Sequence, residues 1–238
     1  MLRLVLSVLI SIPTIIILLW TARDCRLHED KYSEEERYAF ARRMVDVVKK
    51  KSRVTTVVYG VENLPVNGGY VMYANHQGKY DSLGIIGAHE KPCTVLAEEK
   101  RSHLILADQF ISIIKGARLD RFDRKKQFET ILHVIEEVRE GRRYIVFPEG
   151  GYDANHNEVQ KFLPGAFNYA TRSKSPIVPV ALIDSYKVYG VKGLAPVETQ
   201  VHFLKPMYFE EYQGLDTMAI SDIVRDRIVE TIKKFKTV

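Results

Sequence analysis

The chain has 238 residues, a formal net charge of +5 and two cysteines. That length buries one sizeable core, a catalytic domain plus an appendage. A pI near 9.0 suits an anionic membrane surface or a phosphorylated substrate, yet the excess is too small to argue for nucleic acid. Cys25 and Cys93 are too far apart to form a CxxC metal site or a disulfide framework, so a reducing compartment is the default. GxGxxG, GxxxxGK and GxSxG are all missing, which removes the usual signatures of nucleotide folds and nucleophile-elbow hydrolases.

From Leu4 to Trp20 the chain is almost wholly apolar, interrupted by Ser7, Ser11, Pro13 and Thr14. At about 17 residues it is near the lower limit for spanning a bilayer. Trp20-Thr21-Ala22-Arg23-Asp24 is a poor cleavage site, so a spanning anchor or a helix bent by Pro13 within one leaflet is expected rather than a signal peptide. Arg23 and Arg26 after the stretch outnumber Arg3 before it, which places the body on the cytoplasmic side of the cell membrane if the segment spans. Ser33-Glu34-Glu35-Glu36 reads as a helix start, and the helix should reach about Lys51. Ala41, Met44, Val45 and Val48 form a stripe among Arg42, Arg43, Lys49, Lys50, Lys51 and Arg53, as in an interfacial membrane helix. A solvated helix packing on the domain is the competing reading. Residues 1–52 are thus read as a membrane-associated pair of helices and 53–238 as the catalytic domain.

From Val54 helical and extended patterns alternate. Strands are expected at Val54–Tyr59, Tyr70–Ala74, Thr94–Ala97, Arg143–Phe147, Pro176–Ile183 and Gln200–Leu204, with a short extended piece at Lys115–Asp120. Helices are expected at Ser82–His89, Ser102–Ile114, Arg124–Arg139 and Met218–Lys236, with another starting at Gly165. The helix from Arg124 is read as carrying Phe128, Ile131, Leu132 and Ile135 on one face. The alternation predicts an α/β domain with a mixed, largely parallel sheet flanked by helices and an active site at strand ends.

Asn75-His76-Gln77-Gly78-Lys79-Tyr80-Asp81 follows the apolar run Tyr70–Ala74. Five positions apart is about 140° around a helix and opposite faces of a strand. His76 and Asp81 can therefore meet only across a turn, which Gly78 permits. If they meet, Asp81 holds one ring nitrogen and the other is free to take a proton; otherwise Asp81 caps a helix and His76 lies on the surface. Arg118 and Arg121 lie in a short cationic segment, Lys115–Arg121, whose planar forks suit a phosphate, although plain surface charge has the same composition. Phe147-Pro148-Glu149-Gly150-Gly151 puts a carboxylate at a strand end, followed by two glycines whose backbone N–H groups are open to a ligand. Lys161 precedes a helix start at Pro164–Phe167 and adds a cation there. His103, His133 and His156 read as bland surface or core residues.

Four blocks together resemble the glycerolipid acyltransferase family, which contains the 1-acyl-glycerol-3-phosphate acyltransferases. They are Asn75-His76-x4-Asp81, Gly116-x-x-Leu119-Asp120-Arg121, Phe147-Pro148-Glu149-Gly150 and Ile177-Val178-Pro179-Val180-Ala181. The resemblance covers roughly Val54 to Pro206. It implies direct acyl transfer from acyl-CoA or acyl carrier protein, without a bound cofactor, a metal or a covalent enzyme intermediate. In that reading His76 is the general base on the acceptor hydroxyl and Asp81 orients it. Arg121 holds the acceptor phosphate, with help from Lys161 and Arg118, and Glu149 and Gly150 line the acceptor site. Lysophosphatidic acid is the implied acceptor. Family members commonly continue Glu-Gly-Thr-Arg, whereas this chain has Glu149-Gly150-Gly151-Tyr152. That departure leaves another lysophospholipid or a lyso-glycolipid open as acceptor, and a non-catalytic membrane lipid-binding protein is the reading from another class.

Overall fold

A computed structural model describes residues 9, 12–103 and 105–236. Two helices come first, α1 (Ile12–Leu27) and α2 (Glu34–Ser52). Strands β1 (Val54–Tyr59) and β2 (Tyr70–Ala74) precede helix α3 (Asp81–Ala88) and strand β3 (Thr94–Glu98). The expected single helix from Ser102 is instead two, α4 (Glu99–Ser102) and α5 (Ile105–Ile113). Strand β4 (Ala117–Leu119), helix α6 (Arg124–Arg139) and strand β5 (Arg143–Val146) follow. After a long loop come α7 (Asn168–Ser173), β6 (Ile177–Ile183), α8 (Lys187–Gly190), β7 (Val197–Phe203), α9 (Phe209–Tyr212) and α10 (Thr217–Phe235).

The seven strands form one sheet in the order β1-β7-β6-β2-β5-β3-β4. Every neighbouring pair is parallel except β6 with β7. Strand β2 lies near the middle, and all five of its residues are buried. A strand covered on both faces has no polar side to show, which is why Tyr70–Ala74 reads as a continuous apolar run. Its side chains alternate as the pleat requires. Tyr70, Met72 and Ala74 enter the core packed under α1, α2, α3 and α5. Val71 and Tyr73 enter the other, under α6, α7 and α10.

Ser33 caps α2 with the expected reciprocal pair: its hydroxyl accepts from the Glu36 amide, and the Glu36 carboxylate accepts from the Ser33 amide. The stripe on that helix does not face a membrane. Ala41 and Val45 are wholly buried in the core, and Phe40 and Met44 pack against it. Placing α2 over the sheet uses the apolar stripe and leaves Arg43, Lys50 and Lys51 in solvent, while Arg42 donates to the Gly87 carbonyl, the arrangement that a helix period also permits. Helix α1 behaves otherwise. It buries Leu18, Ala22 and Cys25 but exposes Ile12, Ile16, Ile17 and Trp20, the last at 68%. Of the apolar stretch Leu4–Trp20, residues 4–8, 10 and 11 lie outside the described residues. Among the described residues no helix is long and apolar enough to cross a membrane.

Helix α6 has the expected bounds but a different inner face. Val134, Ile135 and Val138 are buried, whereas Phe128 and Leu132 are 55% and 45% exposed. Ile135 and Ile131 do face the core as expected, and the rest of the inner face is rotated about the axis, with Val134 and Val138 in place of Phe128 and Leu132.

The loop after β2 is tied to the end of β6 by Asn75. Its side-chain amide donates to the Leu182 carbonyl at 3.0 Å, and its carbonyl accepts from the Leu182 amide at 2.8 Å. Replacing Asn75 by Ala leaves a buried backbone N–H unpaired, so unfolding in urea followed by circular dichroism should show a loss of about 2–4 kcal/mol. A loss below about 0.5 kcal/mol would show that the tie is replaceable by solvent.

Candidate active site

Because the strands on either side of β2 run parallel to it, their carboxyl ends open on one edge of the sheet. There β2 delivers His76, β5 delivers Glu149, and β6 delivers Asp184 and Ser185. The chain turns after β2 and brings His76 to Asp81, the first residue of α3. His76 Nδ1 lies 2.6 Å from Asp81 Oδ2. The same carboxylate oxygen accepts the backbone N–H groups of Gln77 at 2.5 Å and Gly78 at 2.8 Å, while Oδ1 accepts from the Ser185 hydroxyl. Asp81 is fully buried and His76 is 18% exposed at its side chain. Burying a carboxylate is costly unless it is hydrogen-bonded, and four donors meet that demand here.

Gly78 is not in the left-handed region, and a Cβ there would meet only the Tyr186 Cα at 3.8 Å. The turn therefore depends on the amides that Asp81 gathers and not on a missing side chain at position 78. The loop is buttressed from its far side. Gln77 Nε2 donates to Asn157 Oδ1 at 2.9 Å and to the Leu182 carbonyl at 2.8 Å. Asn155 donates to the His76 carbonyl at 3.2 Å. Asn157 and Asp184 are joined by two hydrogen bonds of 2.9 Å, one through the Asp184 amide. His156, between these asparagines, stacks on Tyr186 with centroids 4.2 Å apart.

The imidazole is also held by rings. Phe147 stacks on it at 4.2 Å and 21°, and Tyr152 meets it edge-on at 4.5 Å and 74°. Glu149 Oε1 accepts the His76 backbone N–H at 3.0 Å. Its Oε2 is buried without a hydrogen-bond partner. Burial pushes the Glu149 carboxyl up to about 7, against the pull of the His76 amide and of the Gln160 backbone and side chain, and the nearby Asp81 charge pushes it further up.

Gly150 adopts φ +78°, where a side chain is strained, and a Cβ there would stand 3.0 and 3.2 Å from the Arg121 guanidinium nitrogens. The glycine thus lets Arg121 lie flat against the Glu149 turn. The Gly150 amide itself is not open to a ligand, since it donates to the Phe147 carbonyl at 3.1 Å. Arg121 is exposed at the rim, beside a cleft of about 240 Å³ of mixed charge, lined also by Glu98, Glu99, Lys100, Leu119, Asp120 and Phe122. Arg118 is not brought to this cluster. Its guanidinium pairs with Asp108 at 2.7 Å and donates to Ser102 at 3.1 Å, so its fork is spent between β4 and the helices beside it. Lys161 is exposed, one residue before the buried Phe162 and two before Leu163, which packs on Gly150.

A partly exposed histidine on a buried carboxylate, with a second carboxyl beside it and a rim arginine, can take a proton from a hydroxyl and hold an anion nearby. The Acyltransferase family matches this chain over residues 55–183, which spans every strand and loop just described up to the end of β6. The chain belongs to that family. The 1-acyl-sn-glycerol-3-phosphate acyltransferase of Saccharomyces cerevisiae is 29% identical over 200 residues, 82% of this chain and 65% of that protein. The chain therefore spans just under two thirds of that relative's length. The human 1-acyl-sn-glycerol-3-phosphate acyltransferase alpha is 28% identical over 210 residues, 85% of this chain and 72% of that protein. The crystal structure of the 1-acyl-sn-glycerophosphate (LPA) acyltransferase PlsC from Thermotoga maritima shares the fold, with a TM-score of 0.78 at 20% identity over 99% of this chain and 98% of that one. Within the family's blocks His76, Asp81, Glu149, Gly150 and Arg121 gather at one end of the sheet. Ser185, Asn155, Asn157 and Tyr152 complete the cluster, and none of these carries a sequence signal of a site except Tyr152, which stands out as a departure from the family pattern.

The raised Glu149 carboxyl has a consequence for stability. Between about pH 4.5 and about 7 the folded carboxyl keeps a proton that the unfolded chain has lost, so stability should fall as pH rises through that window. Urea unfolding at several pH values should show that Glu149→Gln removes part of this slope, on the order of 1–3 kcal/mol. An unchanged slope in the variant would place the proton uptake elsewhere.

Proposed function

We propose that the protein transfers an acyl chain from an acyl thioester, acyl-CoA or acyl carrier protein, to the free hydroxyl of 1-acyl-glycerol-3-phosphate, giving phosphatidic acid. The observation that carries this reading is the 2.6 Å contact between His76 Nδ1 and a fully buried Asp81. That contact directs the proton on the ring to Nδ1 and leaves Nε2 as the basic nitrogen. Nε2 takes the proton from the acceptor hydroxyl as its oxygen attacks the thioester carbonyl. The C–S bond then breaks, and the imidazolium returns the proton to the leaving thiolate. Asp81 stabilises the imidazolium formed in between. Glu149, which holds the His76 backbone N–H, lines the acceptor site in this reading, and Arg121 suits the acceptor phosphate, with Lys161 as a further cation.

The names of the yeast and human relatives support the acceptor, and the +5 net charge suits its phosphate. The exposed Ile12, Ile16, Ile17 and Trp20 of α1, next to Arg23 and Arg26, suit the surface of an anionic bilayer on its cytoplasmic side. A second acceptor reading, a lysolipid with another head group, is favoured by the absence of the family pattern's arginine at position 152, which leaves the acceptor one cation fewer.

The test is thiol release from acyl-CoA with a panel of lysolipids on detergent-extracted protein. His76→Ala should lower turnover by about 10²–10⁴-fold while the protein stays folded. Arg121→Ala should raise KM for lysophosphatidic acid by about tenfold or more and erase the preference for phosphomonoester acceptors. Turnover retained in His76→Ala would remove the base assignment, and no preference for a phosphomonoester in the parent protein would favour the second acceptor.

A further inference from the structure

Asp81 fixes one atom of the imidazole, and a single hydrogen bond leaves the ring free to tilt about it. Phe147 blocks tilting on the side where it stacks, at 4.2 Å. Tyr152 supplies the remaining restraint. Its ring lies 4.5 Å from the imidazole at 74°, the edge-to-face arrangement that aromatic quadrupoles favour. The path that brings it there is built into the chain. Gly150 takes φ +78° directly after Glu149, and the chain then turns through Gly151 so that Tyr152 returns over His76. Tyr152 is half-buried, so the contact is made inside the site and not by a residue swinging in solvent.

We propose that Tyr152 is a positioning residue for His76: its ring, with that of Phe147, holds the imidazole so that Nε2 stays aimed at the acceptor oxygen. The inference rests on the acyl-transfer reading above and goes beyond it, because it assigns a role to the residue at which this chain departs from the pattern Glu-Gly-Thr-Arg. The restraint is that of the ring, which the phenylalanine variant keeps. It acts on the base and not on acceptor binding, so it bears on the chemical step.

Two measurements on the 238-residue chain in detergent test it. The first compares kcat and KM for acyl-CoA and lysophosphatidic acid in Tyr152→Ala, Tyr152→Leu and Tyr152→Phe. The alanine and leucine variants should lose kcat by roughly ten- to a hundredfold with acceptor KM within about twofold, and the phenylalanine variant should recover most of it. The leucine variant keeps bulk in the pocket if alanine prevents folding. Unchanged kcat in both ringless variants, or a rise in acceptor KM alone, would overturn the proposal; the latter would make Tyr152 part of the acceptor wall. The second measurement needs no turnover. The Nδ1–H proton of His76, hydrogen-bonded to Asp81, should give a slowly exchanging downfield resonance in the parent and in Tyr152→Phe, and it should broaden or exchange away in the ringless variants. Persistence of that signal in Tyr152→Leu would also overturn the proposal. If the parent turned over no thioester yet the resonance behaved as expected, the acyl-transfer reading would fail and the positioning role would stand.

Discussion

One buried carboxylate organises this end of the molecule. Asp81 has no contact with water, and an ionised group in that position has to be met by donors. The donors it finds are a ring nitrogen of His76, the amides of Gln77 and Gly78 and the hydroxyl of Ser185. Each ties a different piece of chain to the same point. The amides fold the loop after β2 back on itself, the hydroxyl joins that loop to the end of β6, and the ring nitrogen is presented as a consequence. The same contacts that make Asp81 tolerable in the interior thus leave a histidine with one nitrogen committed and the other available.

Parallel pairing makes this arrangement possible. Since β6, β2 and β5 run in one direction, their following loops meet without any long detour. The β5 loop contributes Glu149 to the backbone of His76 and a phenyl ring to its side chain. The long segment after it returns Asn155 and Asn157 to brace the His76 loop from behind. A histidine surrounded by so many fixed partners loses little freedom when substrate arrives, which is where a preorganised site gains over a flexible one. Gly150 takes a positive φ that other residues would adopt only under strain, and its missing Cβ admits the Arg121 guanidinium to within contact of the Glu149 turn.

Much of this was legible in the chain. Strand β2 could be read because a strand covered on both faces must be apolar throughout, and the bounds of α6 follow from the helical period over Arg124–Arg139. The meeting of His76 with Asp81 was legible only as a possibility, since spacing says that a turn is needed but not that it forms. Other features were not readable, for physical reasons. Which face of α2 or α6 turns inward depends on the surface it meets, so the stripe on α2 was consistent with a bilayer as well as with the sheet, and Phe128 looked like core. Arg118 and Arg121 are alike in composition, and only the neighbouring Asp108 separates a structural arginine from one at the rim. Ser185 lies 104 positions from Asp81, and nothing local marks a serine for a carboxylate so distant. The Gly78 turn was attributed to a missing Cβ, whereas hydrogen bonding to Asp81 is what shapes it.

If Asp81 acts only through His76, the two residues form one unit, and removing the second after the first should matter little. The direct measurement is a double-mutant cycle on acyl-CoA turnover with His76→Ala, Asp81→Ala and the pair. The account predicts that Asp81→Ala lowers turnover severely in the parent but by less than about threefold in the His76→Ala background, the non-additivity expected of residues that act together. Equal losses from Asp81→Ala in both backgrounds would contradict it, since Asp81 would then contribute independently of the imidazole.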